Sequence, residues 1–123
     1  LDVSVPAGRL AELVRLLPEA IAAAAPAAQL IVFGHLAEAN LHVNVLDAEA
    51  EAATDAVLAL VASLGGSISS EHGIGRAKAR WLGLSRSQAE IDVMRAVKAA
   101  FDPLGLLNPG VLFPATASAS LPA

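Results

Sequence analysis

Leu1, Val3 and Val5 alternate with Asp2 and Ser4 as far as Pro6, the period of a strand with one buried face. Leu10, Leu13, Val14, Leu17 and Ile21 then recur at spacings of three and four, which predicts an amphipathic helix. A kink or break is expected at Pro18, because proline cannot donate the internal hydrogen bond. Ala22 to Ala28 favours helix up to Pro26, and Leu30-Ile31-Val32-Phe33 then reads as a strand covered on both faces. Leu41, Val43 and Val45 alternate with His42, Asn44 and Leu46, so a third strand directs His42 and Asn44 to the same side. Asp47 is placed to cap a second helix reaching about Leu64, with Ala53, Val57, Leu60, Val61 and Leu64 as its stripe and Gly65-Gly66 as its stop. Ser67 to Ser70 reads as a short fourth strand.

Strand, helix, strand, strand, helix, strand is the order of the split βαβ unit, so the expected fold is α+β, a ferredoxin-like βαββαβ antiparallel sheet. Strands one and three are expected at its centre, parallel to each other, with strands two and four flanking them and running the other way. The end of strand two, the start of strand three and the end of strand four then share one edge, where His35, His42 and Glu71 fall. Two further helices follow. Ala77 to Leu82 suggests a short one, and Ser87 with Glu90 forms a capping box for a longer one with Ile91, Met94, Val97 and Phe101 as a buried stripe. Asp102-Pro103 stops it. Leu104 to Pro114, with Gly105, Pro109 and Gly110, is expected to be an ordered irregular arm that completes a domain over residues 1–114, and residues 115–123 a disordered tail.

Composition narrows the function classes. At 123 residues the chain can bury one core but not two ordinary ones, and its opening without an initiator methionine or leader reads as a piece of a longer protein. A net charge of -4 argues against nucleic acid, whose phosphates need clustered Lys and Arg. With no cysteine, thiolate metal sites and disulfides are excluded, and a cytoplasmic location is the expectation. The uncharged stretch Ala20 to Ala37 is interrupted by Pro26, Gln29, Gly34 and His35, so no transmembrane segment is expected. The sequence leaves the oligomeric state open, a homo-oligomer included.

The chemistry gathers where the charge does not. Only 3% of residues are aromatic and 16% charged, yet all three histidines fall in two short stretches, Phe33 to Asn44 and Glu71-His72-Gly73. His35, His42 and Glu71 are ligand types that zinc or manganese accepts without thiolates, and three protein ligands leave coordination positions open for a substrate oxygen. The plainer reading, two hairpin-end imidazoles satisfied by backbone, is about as probable from the pair's spacing alone. Glu71-His72 adds a third ligand and a separate base, since an imidazole with an ordinary pKa of about 6.5 can take a hydroxyl proton at neutral pH. Gly73-Ile74-Gly75 invites a dinucleotide reading, but Lys78 replaces the third glycine and no parallel βαβ unit surrounds it; glycines that turn the backbone beside a site explain it better. Arg76, Lys78 and Arg80 read as a solvated basic run before an anion site.

Gly34-His35-Leu36 with Asn40-Leu41-His42-Val43-Asn44, then Glu71-His72-Gly73-Ile74-Gly75, then Asp102 to Gly110 together resemble the C-terminal domain of FAD-linked oxidases of the vanillyl-alcohol-oxidase superfamily. The D-2-hydroxy-acid dehydrogenases, of D-lactate, glycolate and D-2-hydroxyglutarate types, are the most similar branch, and the likeness spans Leu1 to Phe113. The resemblance implies that His35, His42 and Glu71 bind a divalent metal, that Asn44 helps hold the substrate carboxylate, and that His72 takes the C2 hydroxyl proton as hydride passes to the flavin. It places Asn108 near flavin or substrate. It also implies an upstream FAD-binding domain in the same polypeptide, so the isolated chain is expected neither to bind FAD tightly nor to turn over a 2-hydroxy acid.

Two departures bear on this. Ala37-Glu38-Ala39 stands where relatives usually carry Gly-Asp-Gly, and Val111 where they often carry lysine. A competing reading from another class is a stand-alone ferredoxin-like module that binds a small ligand or oligomerises through its sheet.

Overall fold

In the computed structural model, which describes residues 1–113, strand and helix periodicities become β1 (Asp2–Ser4), α1 (Leu10–Ala24), β2 (Gln29–His35), β3 (Asn40–Leu46) and α2 (Ala50–Ser63). The architecture is α+β, with an antiparallel sheet ordered β1-β3-β2. Asp2 faces His42 across one pairing, and Phe33 faces His42 across the other. β1 and β3 are therefore antiparallel, not parallel as expected. The α1 crossover returns β2 in the direction of β1, and the hairpin then reverses β3 against both.

The fourth strand is reduced to a single bridge between Ser4 and Ser67. Its remaining polar groups are engaged elsewhere. The Ser67 hydroxyl donates to the Ser69 carbonyl at 2.8 Å, and the amides of Ser70, Glu71 and His72 donate to the Asp2 carboxylate. Local serine bonds of this kind compete with a strand ladder.

The core lies on one face of the sheet. Leu13 and Leu17 of α1 and Val57, Leu58 and Val61 of α2 are fully buried with Val3 of β1 and Val43 of β3. Each large side chain removed from water contributes about 1.5–3 kcal/mol. Leu58 joins the core although the predicted stripe passed it by, while Leu60 is only half-buried. α1 continues unbroken through Pro18, which is exposed, so the Val14 carbonyl it leaves without a helical donor can be hydrated. Glu49, not Asp47, caps α2, accepting from the amides of Ala52 at 2.8 Å and Glu51 at 3.2 Å. Asp47 instead adopts a φ of 57° and accepts from Gln29. The helix ends in a Schellman turn: Gly66 donates to Val61 and Gly65, at φ 72°, donates to Ala62.

β2 is an edge strand with one open face, which overturns the expectation that both faces are covered. Ile31 is 48% and Phe33 56% exposed. Gly34, on the opposite face, is required by close approach, because a Cβ there would meet the Asn40 carbonyl oxygen at 2.1 Å. In the hairpin turn Ala39 takes a φ of 50° and is buried, so the loop keeps a left-handed position although this chain lacks the glycine that suits it.

The chain divides into two compact units, Leu1–Gly73 and the portion from Ile74 onward. In the second, a 3₁₀ segment Ala79–Leu84 replaces the helix expected at Ala77 to Leu82, and α3 (Gln88–Phe101) begins with the expected Ser87–Glu90 capping box. Its predicted stripe is not buried as expected. Ile91 is buried, Met94 half-buried, and Val97 and Phe101 are 53% and 83% exposed. The arm after α3 is tied by specific bonds. Buried Asp102 accepts from Lys98 and from the amides of Leu106 and Leu107, both at 2.9 Å, and Arg76 donates to the Pro109 carbonyl at 2.6 Å. Arg76 is thus an arm contact, not only part of a solvated run. The tail predicted from Ala115 lies outside the described residues. No helix among the described residues is long and apolar enough to cross a membrane.

Candidate functional site

Alternation along β3 sends Leu41 and Val43 into the core and leaves half-buried His42 and exposed Asn44 on the open face. The hairpin register adds Phe33 beside His42 and Ile31 beside Asn44. His35 ends β2 on the same face, opposite Asn40. The chain then returns after α2, where the Ser4–Ser67 bridge brings Ser69 to His72 over Asp2 at the start of β1.

These elements bring His35, His42, Glu71 and His72 together. One ligand atom from each of His35, His42 and Glu71 lies within 4.8 Å of the others, and the His35 Nε2 to Glu71 Oε1 distance is 3.5 Å. A divalent ion bound tetrahedrally at about 2.1 Å separates its ligands by about 3.4 Å, so the donor set fits with only small side-chain adjustment. His42 is the hub: its ring centroid is 5.5 Å from His35, 5.6 Å from the stacked His72 ring and 5.1 Å from Phe33. His35 and Glu71 have side chains 55% and 47% exposed, so the group is open to a substrate from the sheet face. A second metal-capable set, Asp2, His42 and His72, shares the hub. In it, Asp2 Oδ2 also accepts three backbone amides.

Asn44 lines an open cavity of about 400 Å³ with Ile31, Leu46 and Thr54. Asn108 belongs to the second unit, exposed in the arm at a φ of 46°.

Two groups at this site were not singled out from the sequence. Asp2 is 2% exposed and Asn40 is fully buried. Asn40 Nδ2 donates to Glu71 Oε1 at 2.5 Å, while Asp2 Oδ2 accepts from Ser70 and Glu71 at 2.9 Å, His72 at 3.0 Å and the Ser69 hydroxyl at 3.3 Å. In strand alternation Asp2 reads as a solvent-facing polar position. The signal that could have flagged it is the register that sets it opposite His42, and that register is tertiary.

The chain matches the family of FAD linked oxidases, C-terminal domain, over residues 1–112, and it belongs to that family. It is 39% identical over 124 residues to a D-2-hydroxyglutarate dehydrogenase of Stutzerimonas stutzeri (strain A1501), covering 93% of this chain and 27% of that protein. Against the mitochondrial D-2-hydroxyglutarate dehydrogenase of Rattus norvegicus the identity is 40% over 125 residues, 94% of this chain and 22% of the relative. A glycolate oxidase subunit, GlcD, of Bacillus subtilis (strain 168) is 34% identical over 120 residues, 91% and 25% of the two chains. These names agree with the D-2-hydroxy-acid dehydrogenase type that the motifs resemble. The chain spans about a quarter of the length of these relatives.

Proposed function

We propose that this chain is the substrate- and metal-binding part of an FAD-dependent dehydrogenase that oxidises a D-2-hydroxy acid to a 2-oxo acid. The observation that carries the reading is the convergence of His35, His42 and Glu71 within 4.8 Å, with His72 stacked on His42, in a chain of the FAD-linked oxidase family. His35, His42 and Glu71 hold zinc or manganese, and the half-exposed rim leaves room for the substrate's hydroxyl and carboxylate oxygens. Asn44, on the same face, donates its amide to the substrate carboxylate. His72 accepts the C2 hydroxyl proton on an imidazole nitrogen. When bound, the flavin supplies the acceptor for the C2 hydride and the metal supplies Lewis acidity at the hydroxyl.

Asn108 contributes from the arm to flavin or substrate contact. Flavin binding belongs mainly to an upstream domain of the same polypeptide, in keeping with the quarter-length match, and the chain alone is inactive. The protein works in the cytoplasm.

Titration with zinc or manganese tests the metal centre. His42→Ala and Glu71→Gln are each expected to weaken binding by about tenfold or more, since each removes a ligand. Parent-like affinity in both variants would overturn the site.

A further inference from the structure

We infer that Asp2 and Asn40 are positioning residues that hold the Glu71–His72 segment against His35 and His42; the inference deepens the proposed site and rests on that reading. Residues 69–72 lie outside any helix or strand, and Ser70 and His72 are exposed. Such a segment is ordinarily more mobile than the elements it connects. Here a single buried carboxylate oxygen gathers three consecutive amides, from Ser70, Glu71 and His72, and the Ser69 hydroxyl as well. Hydrogen bonds from backbone N–H to an ionised oxygen are about twice as strong as neutral ones, so the turn is fixed from beneath.

Asn40 fixes the side chain as Asp2 fixes the backbone. A carboxylate can only accept, so the Asn40 amide nitrogen faces Glu71 Oε1, the oxygen that also lies 3.5 Å from His35 Nε2. The Asn40 amide oxygen is buried with no hydrogen-bond partner among the described residues. An apolar residue would suit that burial better, so the amide is retained at a cost to stability, and what it secures is the orientation of Glu71. Asp2 reaches both functional groups through consecutive amides, and Asn40 selects the Glu71 oxygen. Hydrogen-bond partners of ligating carboxylates commonly change metal affinity by about 10–100-fold when removed.

The test uses amide hydrogen exchange and titration with zinc or manganese alone on the full chain. In the parent, the amides of Ser70, Glu71 and His72 should exchange slowly in spite of lying in a turn; peptide-like exchange at all three overturns the inference without any variant. In Asp2→Asn, which keeps the shape and removes the charge, those amides should exchange faster while that of Val57 in the core is unchanged. Metal affinity should fall about tenfold in Asp2→Asn and in Asn40→Leu, and Asn40→Gln should recover part of the loss. Parent-like exchange in Asp2→Asn together with parent-like affinity in both variants overturns the inference. If the parent binds neither ion, the metal reading fails and the exchange data alone decide the positioning roles.

Discussion

α1 and α3 carry the same kind of sequence pattern and meet different fates. In α1, Leu13, Leu17 and Ile21 recur at helical spacing and are buried. In α3, Ile91, Met94, Val97 and Phe101 recur just as regularly, yet Val97 and Phe101 are exposed. The capping box of α3 is complete, whereas α1 has no side-chain cap. Periodicity therefore tells which face of a helix can be buried, and capping tells where it starts. Neither tells whether a partner surface is there to bury it.

Truncating both stripes should separate the two helices most clearly. Leu13→Ala should cost about 2–5 kcal/mol in denaturant unfolding, because it leaves a cavity among α1, α2 and the sheet. Val97→Ala should change stability by no more than about 0.5 kcal/mol. Equal losses would mean that the exposed stripe is covered in solution. Within the sheet unit, Gly34→Ala forces a Cβ into the Asn40 carbonyl and should cost about 1–3 kcal/mol, with a parallel loss of metal affinity as the hairpin shifts. Stability and titration measured on one sample separate the two effects. Ala39→Gly should act in the opposite sense, raising the unfolding free energy by about 1 kcal/mol as a left-handed position receives the residue that tolerates it.

The smallest expected effect lies in the second unit. The Lys98 hydrogen bond, then the amides of Leu107 and Leu106, hold the Asp102 carboxyl below its ordinary pKa against the opposing push of burial. A carboxyl depressed in the folded state stabilises it at all pH above the unfolded value, and loses that contribution as pH falls through the folded one. The melting temperature of the parent should therefore drop on acidification below the ordinary carboxylate range more than that of Asp102→Asn. Parallel acid profiles would show that the clamp adds nothing.

Much of the sheet unit was legible in the chain because strand alternation and the glycine stops act locally. Leu41 and Val43 had to face away from His42 and Asn44 whatever the strand paired with. The family motifs, too, were visible as ordered words in the sequence. The serines predict a fourth strand, but their propensity says nothing of the Asp2 carboxylate, 68 or more positions away, that withdraws the amides of residues 70–72 from a ladder. The cap of α2 was misplaced by two residues because Asp47 and Glu49 both offer a carboxylate, and the backbone turn at Asp47 aims only Glu49 at the free amides.

By itself the sequence determined the period of each element, the single face on which His42 and Asn44 stand, and the family to which the chain belongs. These depend on local geometry and on residue identity. The tertiary structure decided the antiparallel run of β1 against β3, the exposure of β2, and the conversion of Asp2 and Asn40 from ordinary polar positions into the buried floor of the candidate site. Those outcomes come from contacts between residues distant in sequence. Their free energy depends on what the folded chain brings within hydrogen-bond reach, and no local pattern encodes it.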